Sequence, residues 1–339
     1  MIKTRSTYNL TYNLDAIFDT VIDIYIWQGD AGFRPITPEY TITDTNPDGG
    51  ATRTTNISNL INDFIEFVPF AGGATGLVNN PNSLNISVDR TVDGITTEVL
   101  SDFGVKGYYS AIEGLNVGLP SNKILVAGDY MKANKDSKVL IPLLPDGTNV
   151  QIVSTPNNEI NLDLVVSTST DTADYFKSIW IDCNDLSSDT EITITYNSES
   201  YLIEVIDECR YNPIDIFFVN KEGQLQSLTF FKERTESTKS QKETYQRTGI
   251  NVSNGDHQYL DFNLNSRTSF KINSGFVEES QNEVFRQLLQ SEKKWQYANS
   301  KFIPLNLTTP NIEFLTRVKD KLIKYNMEFS YSYDDINTL

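Results

Sequence analysis

Few side chains in this sequence could do chemistry, and their spacing limits them further. Asp44-Thr45-Asn46-Pro47-Asp48-Gly49 matches the opening of a calcium loop, D-x-N-x-D-G. The twelfth position of such a loop falls on Thr55, where a bidentate glutamate would belong. Asn-Pro-Asp-Gly is also a strong turn sequence, and the turn is the preferred reading. Neighbouring carboxylates recur at Asp207-Glu208, at Asp182, Asp185 and Asp189, and at Asp334-Asp335. They are the residue types of a glycosidase acid/base pair. In an acidic chain such neighbours arise by composition alone, so solvated acidic faces are expected.

Cys209 stands beside Arg210, and a cation can lower a thiol pKa. Cys209 also ends an apolar strand and precedes a turn, which predicts a buried structural thiol. The other cysteine is Cys183; two are too few for a disulfide framework or a zinc cluster. Two buried thiols are preferred to one disulfide. The single histidine, His257, lies in the turn sequence Asn254-Gly255-Asp256-His257-Gln258 and is expected at the surface. One histidine excludes a two-histidine metal site and leaves one candidate for a Ser-His-Asp triad. The sequence has no P-loop, no G-x-G-x-x-G after a strand, no G-x-S-x-G and no H-E-x-x-H. No catalytic residue, metal ligand or cofactor is predicted, and the missing motifs lower the expectation of an enzyme without excluding one.

The elements that would position these residues are mostly strands. The chain has 339 residues, 39% of them hydrophobic and 22% charged, enough to bury two cores. Asn, Thr, Ser, Ile and Tyr are abundant, a usage that favours strands and turns. The net charge of −17 disfavours nucleic acid and anionic membrane as partners. No apolar run approaches the roughly 20 residues of a membrane helix, and the N-terminus lacks a secretory pattern. A product made in the cytoplasm is expected. The charge balance is −15 over residues 1–200 and −2 over 201–339, which places a domain boundary near 200.

Ile22, Ile24 and Ile26 alternate as in a half-buried strand, and Tyr40–Thr43 is a second strand. The apolar residues at 57, 60, 61, 64 and 65 share one helical face. Residues 69–138 are glycine-rich and read as a loop-rich insertion. Strands are expected at Val139–Leu144, Val150–Val153, Leu162–Ser167, Glu191–Tyr196 and Tyr201–Ile206, spaced as in a β-sandwich. Residues 214–231 read as a buried hairpin turning at Asn220-Lys221-Glu222-Gly223. A capping box, Ser280 with Glu283, opens a helix over about 281–292. Lys319-Asp320-Lys321 reads as a turn, and Ile323, Tyr325, Met327, Phe329 and Tyr331 alternate along a closing strand. The fold class is mainly β: two β-sandwich-like domains, 1–200 and 201–339, with a few short helices and long loops.

Residues 232–256 carry almost no apolar side chain before Ile250. Such a segment cannot bury itself and is expected as a solvated loop or as an arm ordered by a neighbour. Its cations Lys232, Arg234, Lys239, Lys242 and Arg247 outnumber the interleaved Glu233, Glu236 and Glu243 by two. With Tyr245 alone for stacking, a nucleic-acid arm is disfavoured. The five cations are the candidate subunit contacts.

The run Asp207-Glu208-Cys209-Arg210-Tyr211-Asn212-Pro213, the hairpin Phe218 to Gln226 and Thr229-Phe230-Phe231-Lys232 form a block that resembles virion proteins of tailed phages infecting Bacteroidota, the crAss-like phages included. Asn273–Ser280, the segment around Gln290-Ser291-Glu292 and Trp295, and the close from Asp320 to Phe329 are similar to the same pattern. So are Arg34-Pro35 to Ile42 and Ile57–Ile65 near the N-terminus. The resemblance covers about two-thirds of the chain and leaves out 69–138. It implies a structural tail component, either a ring between portal and tail tip or a tail-tip protein, with no active site. The partners it implies are copies of the same chain in a ring and other tail or portal-proximal proteins. It implies a place in the virion tail, with no sequence-specific nucleic-acid contact and no membrane. Acidic surfaces lining a channel would let DNA slide through. The alternative is a tail-tip carbohydrate- or receptor-binding module that stacks sugars on exposed Trp27, Trp180 or tyrosine clusters. A polysaccharide depolymerase ranks last.

Overall fold

Apolar side chains at every second position place this chain in strands wherever one face can be covered. The computed structural model describes residues 1–45, 51–116, 118–184, 186–187, 189–248, 251, 253, 255–309, 311–314 and 323–335. The expected turns at 46–49 and 319–321, and Asp185, lie outside the described residues. The protein is mainly β, with several sheets and few short helices, as the composition predicts. Its chain divides into two units. Unit 1 is Met1–Asp207, Phe217–Leu228 and Ser280–Glu292; unit 2 is Glu208–Ile216, Thr229–Glu279 and Lys293–Leu339.

Unit 1 opens with strands β1 (Ile2–Lys3), β2 (Asn9–Asn13), β3 (Thr20–Trp27), β4 (Tyr40–Asp44) and β5 (Thr52–Asn56), then the short helix α1 (Ser58–Asn62). Next come β6 (Gly76–Asn80), β7 (Ser83–Val92) and β8 (Ile95–Val105). A five-stranded sheet runs β1-β8-β7-β3-β4, and β2 pairs with β5. Ile22, Ile24 and Ile26 of β3 and Leu84, Ile86 and Val88 of β7 share one core with Ile57, Ile61 and Ile65 around α1. Each fully buried aliphatic side chain there stabilises by about 1.5–3 kcal/mol. The helical spacing at 57–65 thus identifies the element that covers this sheet.

The glycine-rich region is more regular than expected. Its β7–β8 hairpin closes on Asp93 and Gly94, with φ of 49° and 73°, the left-handed pair of a two-residue type I′ turn. The described residues of the connection from 106 to 129 are irregular, in keeping with the loop-rich reading.

Unit 1 continues with β9 (Tyr130–Asn134), β10 (Lys138–Leu143), β11 (Asn149–Thr155), β12 (Asn161–Val165), the one-turn α2 (Thr172–Tyr175), β13 (Phe176–Asp182), β14 (Thr190–Tyr196) and β15 (Glu199–Ile206). Sheets β10-β13-β6 and β12-β11-β14-β15-β9 face each other across a shared apolar core. That core holds Val139, Ile141, Ile179 and Ile181 from one sheet and Ile152, Ile192, Ile194 and Ile203 from the other. This is the sandwich predicted over 138–206. Burial of Tyr196 raises its phenol pKa; its hydroxyl lies 3.0 Å from the Leu144 carbonyl and 2.8 Å from the Asp146 carboxylate.

Strand β13 escaped the sequence reading because Lys177 and Ser178 interrupt its apolar run. It carries Trp180, which is 1% exposed and stacks with Phe217 at 6.2 Å. The expectation of an exposed Trp180 is therefore overturned. Trp27 is only half-buried, and its indole N–H donates to the Asp30 carbonyl at 3.1 Å.

The chain then forms β16 (Ile214–Val219), β17 (Leu225–Phe230), β18 (Arg234–Gln246), β19 (Tyr259–Asn273), α3 (Asn282–Gln290), β20 (Lys294–Ala298), β21 (Lys301–Leu307) and β22 (Asn326–Tyr331). Hairpin β16–β17 is buried along its length, as its sequence predicts. Helix α3 lies in unit 1 and buries Val284, Phe285 and Leu288. Its expected capping box does not form. A 3-10 turn, Glu279–Gln281, leads in, Gln281 takes the cap position without capping the helix through its side chain, and the Glu283 carboxylate accepts from Arg286 and Gln287. In unit 2, strands β20, β21, β22, β19 and β18 lie side by side in that order. Phe270 of β19 stacks on Phe329 of β22 at 5.8 Å, so the alternation of the closing strand faces a core.

Candidate assembly interface

The polar segment expected as a solvated loop or as an arm ordered by a neighbour is, over Arg234–Gln246, a strand. β18 reads Arg-Thr-Glu-Ser-Thr-Lys-Ser-Gln-Lys-Glu-Thr-Tyr-Gln, with neither Gly nor Pro to break it. One edge of its backbone is paired in a ladder to β19 that runs from Arg234↔Ile272 to Gln246↔Tyr259, and the other edge faces outward. No apolar face is needed for that ladder, which is why a hydrophobicity reading misses it. β19 in turn pairs with β22 over Ser269–Asn273 alone. Beyond that stretch the two strands continue as a ribbon, exposed along nearly all of β18. Thirteen residues at about 3.4 Å each give β18 a length of roughly 40 Å.

The root of the ribbon is clamped. The Arg234 guanidinium sits 4.7 Å over the Phe270 ring and donates to the Tyr331 hydroxyl at 3.1 Å. Lys232 pairs with Glu208 and sits over Tyr211. That ammonium, with the backbone N–H of Arg210, holds Glu208 below the usual glutamate range. Lys239 faces Arg267 directly across the ladder, a repulsive pair. Asp334 neutralises it by pairing with Arg267 at 2.9 Å. Asp335 accepts from Ser266 and Thr268 at 2.8 and 3.1 Å. The Asp334-Asp335 pair is thus a clamp on β19.

The outer part is different. Between Gln241 and Glu243 the register slips, opposite Asn263 with a φ of 49°. Such a bulge bends and twists the ribbon. Past it, Lys242 pairs with Asp261 at 2.7 Å and, with the Thr244 hydroxyl, holds that carboxyl below the usual aspartate range. Tyr245, Tyr259, Phe262 and Leu264 are 47%, 60%, 40% and 47% exposed, and Tyr245 packs edge-on against Phe262 at 5.6 Å. Lys239 and Arg247 are exposed. Of the five candidate cations, Lys232 and Arg234 therefore serve the root, while Lys239, Lys242 and Arg247 lie along the free part. The sequence reading ended the arm at 256 and missed Tyr259, Phe262 and Leu264. Leu260, Phe262 and Leu264, apolar at every second position, are the signal that would have extended it.

A second exposed element lies in unit 1, within the glycine-rich region. Ile112, Leu115 and Leu119 are 98%, 60% and 52% exposed on the β8–β9 connection. The Asn116 amide pins that loop to the backbone of Asn9, accepting at 2.9 Å and donating at 2.7 Å.

The remaining candidates are occupied by structural partners or stand apart. Asp44 accepts from the Tyr12 hydroxyl at 2.5 Å and lies 3.4 Å from Arg53. Asp182 pairs with Lys138, and Asp189 sits in a turn with a φ of 61°. Among the described residues, no group of three or more His, Cys, Asp or Glu is placed to hold a metal. Both cysteines are thiols, Cys183 buried and Cys209 exposed. The expected burial of Cys209 fails because the strand before it, β15, ends at Ile206, leaving Cys209 in an irregular connection. His257 is exposed, as its turn sequence predicts. No helix among the described residues is long and apolar enough to cross a membrane. No protein-family model and no curated protein matches the chain significantly.

Proposed function

We propose that the protein is a structural subunit of a phage virion that forms rings in the tail or head-to-tail junction, and that stacked rings make a conduit for DNA. The observation that carries this reading is the β18–β19 ribbon. A two-stranded ribbon is marginal alone in water. This one is anchored at its root and ends in exposed aromatic and aliphatic side chains. That arrangement suits insertion into a neighbouring copy, a head-to-tail contact that closes into a ring when the rotation permits. The ribbon's positive surplus against the −15 of residues 1–200 supports the acidic half of a neighbour as its dock. The sequence resemblance to tail proteins supports the same reading.

Electron microscopy of the concentrated protein, labelled on residues 1–200, tests it. Closed rings of one diameter with the label facing the lumen are expected. Absence of rings would sink the ring reading, and rings with the label outward would sink the acidic conduit.

A further inference from the structure

Unit 2 contains a groove of about 720 Å³ whose lining has a chemistry of its own. That volume falls within the range of about 300–1,000 Å³ usual for small-ligand sites. Its floor is the outward face of β18, β19 and β22. Two cross-strand rows fix it: Thr235, Lys271 and Glu328 are aligned in one, and Asn273 faces Asn326 in the next. Both rows are satisfied internally, with Lys271 and Glu328 3.3 Å apart and the Asn273 amide donating to Asn326 at 2.6 Å. They are therefore held in place and still present spare donors and acceptors. Phe276 stands on the wall, 54% exposed, in a loop fixed by the Gly275 N–H donating to Asn273 at 2.8 Å.

The geometry points to a binding site for a neutral oligosaccharide, and this inference does not depend on the ring reading. Three features choose the ligand class. The floor alternates donors and acceptors, which matches hydroxyl groups that both donate and accept. The charge is balanced: Lys232, Lys271 and Lys324 are offset by Glu233, Glu328 and the Glu208 that pairs with Lys232. A polyanion or an acidic peptide would call for a surplus of cations. The exposed Phe276 ring offers an apolar surface for the C–H face of a pyranose, the amphipathic use of an aromatic beside polar groups.

The test is a glycan array of neutral and acidic oligosaccharides probed with the full-length chain, followed by titration calorimetry of the best neutral hit. The expected result is a neutral hit with a Kd of about 1 mM or below, weakened about tenfold by Phe276→Ala. Phe262→Ala on the ribbon should leave that Kd unchanged, which separates this site from the assembly contact. Phe276 is exposed, so its alanine variant should keep the wild-type melting temperature. An array on which only acidic glycans bind, or no glycan binds, overturns the inference. So does a neutral hit that is indifferent to Phe276→Ala.

Discussion

Gly223→Ala is expected to destabilise the protein by about 3–5 kcal/mol, the sum of a left-handed backbone strain and a backbone clash. Gly223 closes the β16–β17 turn with a φ of 74°, where an L side chain is strained. A Cβ there would lie 2.7 Å from the backbone nitrogen of Gly107. The approach is mutual, since a Cβ on Gly107 would lie 2.6 Å from the Lys221 carbonyl oxygen. Backbone cannot swing aside as a long side chain can. The turn is also fastened from within: the Asn220 side-chain carbonyl accepts from Glu222 and Gln224, and its amide donates to Leu125 at 2.7 Å. The Tyr108 N–H donates to the Lys221 carbonyl at 2.9 Å. Gly107→Ala should therefore do comparable harm, and the double variant should be less than additive because both changes break one contact. Urea titration followed by circular dichroism measures this. A loss for Gly223→Ala below about 1 kcal/mol would contradict the close approach.

Glu222→Gln is expected to cost a similar amount, about 3–5 kcal/mol at neutral pH, by leaving a buried cation without its counter-charge. Lys3 is 3% exposed and its ammonium lies 2.7 Å from Glu222 and 4.6 Å over the Tyr109 ring. Burial pulls the Lys3 pKa below the ordinary lysine value, and Glu222 opposes that pull. Folded protein thus releases the Lys3 proton at a lower pH than unfolded chain. Between those two pH values the unfolded state binds more protons, so the Lys3 contribution to stability rises with pH. Without the Glu222 charge, the folded pKa falls further and the window widens downward. The variant should therefore regain stability between pH 7 and about 10 more steeply than the wild type. Lys3→Met combined with Glu222→Gln should restore most of the loss, since no unpaired charge remains. Thermal melts across pH decide it; parallel pH profiles for variant and wild type would contradict an unpaired Lys3.

The sequence was most legible where one face of an element is buried. The isoleucines of β3, the helical spacing at 57–65 and the strands of the sandwich follow directly from apolar periodicity, because covering that face is what fixes each element. It was least legible where the backbone alone holds the structure. β18 has no apolar alternation, and its ladder to β19 is invisible to a hydrophobicity reading. β13 was hidden by Lys177 and Ser178, and with it the burial of Trp180. The β7–β8 hairpin was written at Asp93-Gly94, but the many surrounding glycines masked that one turn. The capping box failed for a different reason: Arg286 and Gln287, one turn on, compete for the same Glu283 carboxylate. For the interface, charge was readable from composition, whereas the exposed Tyr259, Phe262 and Leu264 needed the ribbon to be seen.

Self-assembly through the ribbon is tested by the mass of the purified protein in solution across concentration, read by native mass spectrometry. The wild type is expected to form one discrete closed oligomer. The combined variant Lys239→Glu, Lys242→Glu and Arg247→Glu, which alters the free part of the ribbon and spares its root, is expected to be monomeric. A wild type that stays monomeric at every concentration, or a charge-reversed variant that assembles as well as the wild type, would rule out assembly through the ribbon.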